Sequence, residues 1–183
     1  MVYTIDIQGM KHDLPLCPIN ENLYIGAFVI FGQVELTKHC AAELLKKLPE
    51  VDYLLAPEAK AIPLVYEMSR QSGIPYLVAR KKAKAYMQGV ISATVQSITT
   101  AGEQTLVIDA VDAAAMKGRR VCIVDDVIST GESLRAVEAL ANAAEANIVA
   151  RAAILAEGDA ADRTDITILQ KLPLFRPDGT PIE

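Results

Sequence analysis

Apolar and polar positions along this chain repeat with two different periods. Short, nearly continuous apolar runs at Tyr53 to Ala56, Tyr76 to Ala79, Arg120 to Val124 and Ile148 to Leu155 have the length of strands buried on both faces. Between several of them the spacing becomes helical. It predicts one helix over Glu35 to Leu48 and another over Ile62 to Ser72, where Pro63 suits a first turn and Gly73 a left-handed cap. A third helix is predicted after the stretch 121–133, because Leu134, Val137, Leu140, Ala141 and Ala144 recur at helical intervals, with Ser129 to Ser133 as the strand-to-helix turn. Strands and helices that alternate in this way predict an α/β fold with an open, Rossmann-like parallel sheet flanked by helices.

Val90 to Ile108 follows another pattern. Two strand-like runs, Ser92 to Ile98 and Gln104 to Ile108, flank "TTAGE" and predict an antiparallel hairpin inserted into the parallel scheme. No low-complexity tract, long linker or internal repeat divides the chain. A length of 183 residues with 51% apolar composition suits one ordinary core, so a single domain over residues 1–183 is expected.

Charge and cysteine usage narrow the function. A formal net charge of -5 gives no general pull toward nucleic acid, so any anion-binding surface must be local. Cys17, Cys40 and Cys122 lie far apart without a Cys-x-x-Cys pair, and His12 and His39 have no ligand spacing, which argues against a protein-built metal centre or a disulfide framework. The opening "MVYTIDIQGMKHDL" lacks the regions of a signal peptide, and no apolar run approaches the ~20 residues of a membrane span. A soluble cytoplasmic protein with no nucleic-acid or membrane partner is expected.

The stretch with the most chemistry is "VCIVDDVISTGES", residues 121 to 133. Open parallel sheets place ligands beyond the carboxyl ends of their strands, where Asp125 and Asp126 are expected to emerge. The turn from Ser129 to Ser133 then opens a helix. Its amides and dipole favour an anion, and three hydroxyl side chains add donors. Two carboxylates just before a phosphate cradle cannot favour a second phosphate, but they can accept hydrogen bonds from sugar hydroxyls. A ribose 5-phosphate satisfies both halves. The competing reading is that Ser129 or Thr130 only caps a helix while the aspartates solvate a loop.

This stretch resembles the phosphoribosyl pyrophosphate motif of type I phosphoribosyltransferases, which join a nitrogenous base to ribose 5-phosphate and release pyrophosphate. "LLAPEAKAIPLVYEMSRQSGIPYLVARKKAKAY" and the hairpin after it are similar to the purine branch, especially adenine and xanthine phosphoribosyltransferases, so that roughly residues 28 to 157 match in order and spacing. The resemblance implies that Asp125 and Asp126 hold the ribose hydroxyls and that Ser129, Thr130, Gly131, Glu132 and Ser133 wrap the 5-phosphate. Glu132 departs from the family's common glycine, and its anionic side chain must point away from the phosphate.

Two more constellations take roles from the resemblance. "APEAKA", Ala56 to Ala61, is on its residues as well read as an ordinary charged connection; in the family this position is the pyrophosphate loop, with backbone amides of Glu58, Ala59 and Lys60 facing the ligand. "ARKKAK" is similar to the family's Arg-Lys-x-x-Lys segment. Arg80, Lys81 and Lys84 are thereby implied at the pyrophosphate, Arg80 and Lys84 beside the acidic pair in catalysis, and the resemblance to related homodimers leaves open which of them serve a neighbouring subunit. A solvated basic turn is the alternative.

The hairpin matches the family's mobile loop, with Thr99 and Thr100 where adenine enzymes carry a glutamate. A small hood is expected from about residues 1–33, with Phe28 or Phe31 of "FVIFGQVEL" stacking on the base and Glu157 contacting the base or magnesium. Core packing for the phenylalanines and a solvated strand end for Glu157 remain open. The implied reaction is displacement at the ribose anomeric carbon, with Mg2+ arriving on phosphoribosyl pyrophosphate, in purine salvage. Adenine is the first choice of base from the length and "FVIFGQVEL", while "VQSITTAGEQTLVI" is closer to the xanthine branch, and hypoxanthine or guanine stay open. Two other classes also remain: a non-catalytic sensor of phosphoribosyl pyrophosphate, and a receiver-like signalling domain, which fits poorly because its acidic pair belongs near the first strand.

Overall fold

The computed structural model describes residues 1–96 and 103–182, with Gln96 described by its backbone alone. At its centre is a five-stranded parallel sheet. The strands are β4 (Tyr53–Pro57), β5 (Tyr76–Ala79), β8 (Arg120–Ile128), β9 (Asn147–Glu157) and β10 (Thr167–Leu172), in the order β10-β9-β8-β4-β5. Alternation along β8 supplies both cores. Cys122 and Val124 join one hydrophobic cluster with helices α1 (Val34–Leu45) and α2 (Ile62–Ser72), while Val121 and Ile123 join the other with α4 (Glu132–Ala143).

The helices follow local chemistry. In α2, Pro63 occupies the first turn, and Gly73, at φ +75°, closes the other end by donating its N–H to Ser69 O at 2.8 Å. α1 stops at Leu45, three residues short of the expected Leu48, because Pro49 disfavours helical geometry at the residue before it and the chain tapers through a Lys47 N–H to Leu44 O bond.

The antiparallel hairpin is present as β6 (Ile91–Gln96) and β7 (Glu103–Ile108), paired from Ile91↔Ile108 to Gln96↔Glu103. The connection predicted as its tip, with Thr99 and Thr100, lies outside the described residues. A bridge between Arg80 and Val107 ties the hairpin to the end of β5. A short helix unmarked in the sequence pattern, α3 (Ala110–Met116), follows, with Asp109 accepting from Val111 N–H as its cap.

The hood is built differently from the expectation. β1 (Val2–Ile7), β2 (Met10–Asn20) and β3 (Leu23–Gly26) form an antiparallel sheet that is completed by β11 (Leu174–Phe175) and β12 (Pro181–Ile182), in the order β1-β2-β3-β11-β12. Residues 28–33 are not a hood strand but the link into α1, and Phe28 is buried in the core, edge-on to His12 at a centroid distance of 5.7 Å.

Candidate active site

β8 carries the acidic pair deeper than the sequence implies. The strand does not end at Val124 but pairs with β9 through Asp125↔Ala153, Val127↔Leu155 and Ile128↔Ala156, because ladder bonds need only backbone amides and are indifferent to a carboxylate side chain. Asp125 and Asp126 are therefore buried, at 8% and 3% exposure, rather than emerging into solvent. Burial and the neighbouring Asp126 charge push the Asp125 carboxyl above the usual carboxylate range, with Lys60 opposing the shift. Asp125 Oδ1 accepts the Asp126 N–H at 2.9 Å.

The turn after β8 leads directly into a helix. Gly131 stands at φ +76°, a conformation that favours glycine, and α4 begins at the next residue with no side-chain cap at its N-terminus. Only a long 3.4 Å contact joins Thr130 Oγ1 to Glu132 N–H, so helix capping does not explain the hydroxyls. Ser129 instead hydrogen-bonds Glu157, the last residue of β9. Burial raises the Glu157 carboxyl above its ordinary range, against that bond and the charge of Lys60.

The loop after β4 comes to the same place. Lys60 Nζ lies 3.1 Å from Asp126 Oδ2, close enough to pair charges without the alignment of a hydrogen bond, and Oδ2 has no hydrogen-bond partner among the described residues. The Glu58–Ala59 peptide is cis, and Ala59 and Lys60 are exposed. The expectation for Glu58 needs correction: its N–H donates to Ala79 O at 2.8 Å in the sheet and is not available to a ligand. Its carboxylate turns toward the basic segment, accepting from Lys81 N–H at 3.1 Å and lying 3.5 Å from Arg80 Nη2. Arg80 Nε is buried without a partner among the described residues. Lys84 is exposed on a turn closed by its own O accepting from Met87 N–H at 3.0 Å, and no described contact brings its side chain to the acidic pair.

A cavity of about 730 Å³ lies between this turn and the hood. Its apolar wall is Ile19, Leu23, Ile25 and Leu174; Ser129, Thr130, Gly131 and Glu132 form one end, and Glu157, Asp159, Arg135 and Arg163 complete it. Neither Phe28 nor Phe31 lines it. Phe28 is core and Phe31 is half exposed, so neither ring is placed to stack on a ligand in this cavity. Leu174 and Arg163 carry no local signal: one sits in a two-residue strand, the other is a lone arginine in "GDAADRTD". Ile19, Leu23 and Ile25 were within reach of sequence reasoning as the alternating positions of the hood strands.

Among the described residues no group of three or more His, Cys, Asp or Glu converges in a way that could hold a metal ion. Burial pushes the thiols of Cys40 and Cys122 up to about 12, which keeps both as poor nucleophiles near neutral pH.

Residues 34–171 match the family model for the phosphoribosyl transferase domain. Orotate phosphoribosyltransferase from Methanopyrus kandleri is 37% identical over 98 residues, which cover 53% of this chain and 43% of that protein. Hypoxanthine/guanine phosphoribosyltransferase from Methanococcus voltae is 32% identical over 126 residues, covering 68% of this chain and 64% of that one. The chain thus spans less than two thirds of the length of these relatives. Adenine phosphoribosyltransferase from Thermoanaerobacter pseudethanolicus has the same fold, with a TM-score of 0.70 at 20% identity over 86% of this chain and 95% of that chain.

Proposed function

The chain belongs to the phosphoribosyl transferase domain family, and from that membership and the geometry of β8 we propose that it transfers ribose 5-phosphate from phosphoribosyl pyrophosphate to a purine. The observation that carries the reading is the continuous path from the buried Asp125 and Asp126 through an uncapped, anion-ready turn into the cavity beneath the hood. The three relatives named above differ in their bases and share the phosphoribosyl group. That shared half is the one β8 and α4 would hold.

The residues divide the work. The carboxylates of Asp125 and Asp126 accept the ribose hydroxyls, with Asp126 Oδ2, paired in charge with Lys60 but without a hydrogen-bond partner among the described residues, having acceptor capacity to spare. The amides and hydroxyls of Ser129 to Ser133 hold the 5-phosphate at the N-terminus of α4. Ala59, Lys60, Arg80 and Lys81 take the pyrophosphate, and the buried Arg80 Nε is a donor waiting for an anion. Lys60 and Arg80 must then exchange Asp126 and Glu58 for phosphate oxygens when the ligand binds.

Magnesium fits this donor set as a passenger: hard carboxylate oxygens are present at the ribose side, and the ion would neutralise charge growing on the departing pyrophosphate. The positioned cations assist that departure as positive charge develops on the anomeric carbon. Adenine is the first choice of base: Glu157 and Asp159 place acceptors on the cavity for an exocyclic amino group, which adenine and guanine carry and hypoxanthine and xanthine lack. Hypoxanthine or guanine is the second reading, favoured by the sequence relative that takes them by name.

The test incubates the protein with magnesium, phosphoribosyl pyrophosphate and adenine, hypoxanthine, guanine, xanthine or orotate, and follows nucleotide and pyrophosphate together. Turnover with adenine is expected. Turnover with another base alone removes the adenine choice, and binding of phosphoribosyl pyrophosphate without turnover moves the reading to a sensor.

A further inference from the structure

The loop between β9 and β10 brings a cation to the phosphate turn from outside the motif. Asp165 grips the Arg163 guanidinium as a fork, accepting from Nε at 2.9 Å and from Nη2 at 2.6 Å. A bidentate grip fixes the plane of the guanidinium and leaves Nη1 outside the fork. Nη1 lies 3.3 Å from where a Cβ on Gly131 would stand. The backbone is held as well, with Arg163 N–H donating to Ala160 O at 3.3 Å. Two thirds of the side chain is shielded, at 33% exposure, and Arg163 lines the cavity together with Ser129 to Gly131.

A loop-locking ion pair accounts for Nε and Nη2 but not for the position of Nη1, which faces the one residue of the turn that has no side chain. The surroundings give that position a use. Ser129 to Ser133 contain no lysine or arginine, while Asp125, Asp126, Glu132 and Glu157 all lie at or near the turn; of the two arginines that line the cavity, Arg135 and Arg163, it is Arg163 that reaches the Cβ position of Gly131, where a cation would offset a phosphate dianion. We propose that Arg163 binds the 5-phosphate of the phosphoribosyl ligand and that Asp165 is its positioning residue. This rests on the phosphoribosyl-transfer reading of the turn.

The test measures binding of ribose 5-phosphate and, separately, of magnesium pyrophosphate to the wild type and to Arg163→Met, Arg163→Lys and Asp165→Asn, each checked for folding by thermal melting. Arg163→Met is expected to weaken ribose 5-phosphate by about ten- to a hundredfold, the range of one charge-assisted hydrogen bond, and to leave pyrophosphate within about twofold. Arg163→Lys recovers part of the loss because charge remains without the fork. Unchanged ribose 5-phosphate affinity, or an equal loss for both ligands, overturns the proposal. If Arg163→Met does not fold, Asp165→Asn decides: a selective loss of ribose 5-phosphate binding supports the role, and none overturns it. A wild type that binds neither ribose 5-phosphate nor phosphoribosyl pyrophosphate sinks the transferase reading itself, whereas one that binds both, with Arg163→Met binding equally well, removes only the role of Arg163.

Discussion

Replacing Asp125 by Asn should make the free protein more stable and a poorer binder of phosphoribosyl pyrophosphate. The substitution removes a buried carboxyl that burial and the Asp126 charge make costly to ionise, yet the Asn Oδ1 can still accept the Asp126 N–H that Asp125 now accepts at 2.9 Å. A buried polar or charged group without full compensation costs about 1 to 3 kcal/mol or more. Lys60, itself 51% exposed, offsets only part of this. A net gain of about 1 to 2 kcal/mol follows, or a midpoint rise of about 2 to 8 °C for a chain of this length.

The sign with pH is fixed by the direction of the Asp125 shift. Its carboxyl titrates higher when folded than when unfolded, so above about pH 4 the folded state keeps a proton that the unfolded state releases. Wild-type stability from this group is present at low pH and is lost as pH climbs through the raised pKa, while the Asn variant has no proton to lose. The gap between the two proteins should therefore widen from pH 5 to pH 8. Thermal melts across that range measure it, and titration calorimetry should show phosphoribosyl pyrophosphate binding weakened by about 10- to 100-fold. A lower midpoint at every pH, a gap indifferent to pH, or undiminished ligand affinity would refute the reasoning.

Two glycines give a matched comparison. Gly73→Ala and Gly131→Ala each force alanine to a left-handed φ, +75° and +76°, at about 1 to 2 kcal/mol of stability, but only at Gly131 does the new Cβ meet another group. Urea midpoints should fall similarly for both, with ribose 5-phosphate binding lost only in Gly131→Ala; equal binding in the two variants would count against the turn as the phosphate site. Asp52 is held down to about 2 by hydrogen bonds from the Arg120 side chain and backbone. Its contribution to stability is present above about pH 4 and disappears as pH falls through 2, so Asp52→Asn should lower the midpoint at pH 7 and converge with wild type near pH 2. Parallel pH curves for the two proteins would contradict this.

The parts legible in the sequence are those whose cause is local. The bounds of α2 follow from Pro63 and Gly73, and β5 from an apolar run with no competing period. β8 is longer than its apolar run because a strand's end is set by its neighbour's ladder, and β9 continues alongside as far as Glu157. The C-terminal strands of the hood escaped for a related reason. Phe175 pairs with Tyr24, and nothing in a two-residue strand announces a partner so far away. In the site, adjacency along the chain made the acidic pair and the turn readable. The pairing of Lys60 with Asp126 and the approach of Arg163 to Gly131 are created by the sheet order, which sequence periodicity does not encode.

The hood has one further consequence, for the order of events during synthesis. The cavity wall joins Ile25 to Leu174, two residues paired across roughly 150 positions of chain, so it forms at the cost of a very large loop. β4, β8 and α4 all leave the ribosome before Leu174 does. A nascent chain can thus display its phosphate turn while β3 still has an unpaired edge, and that edge stays open to chaperones, or to mispairing with another chain, until the last strands arrive to cover it.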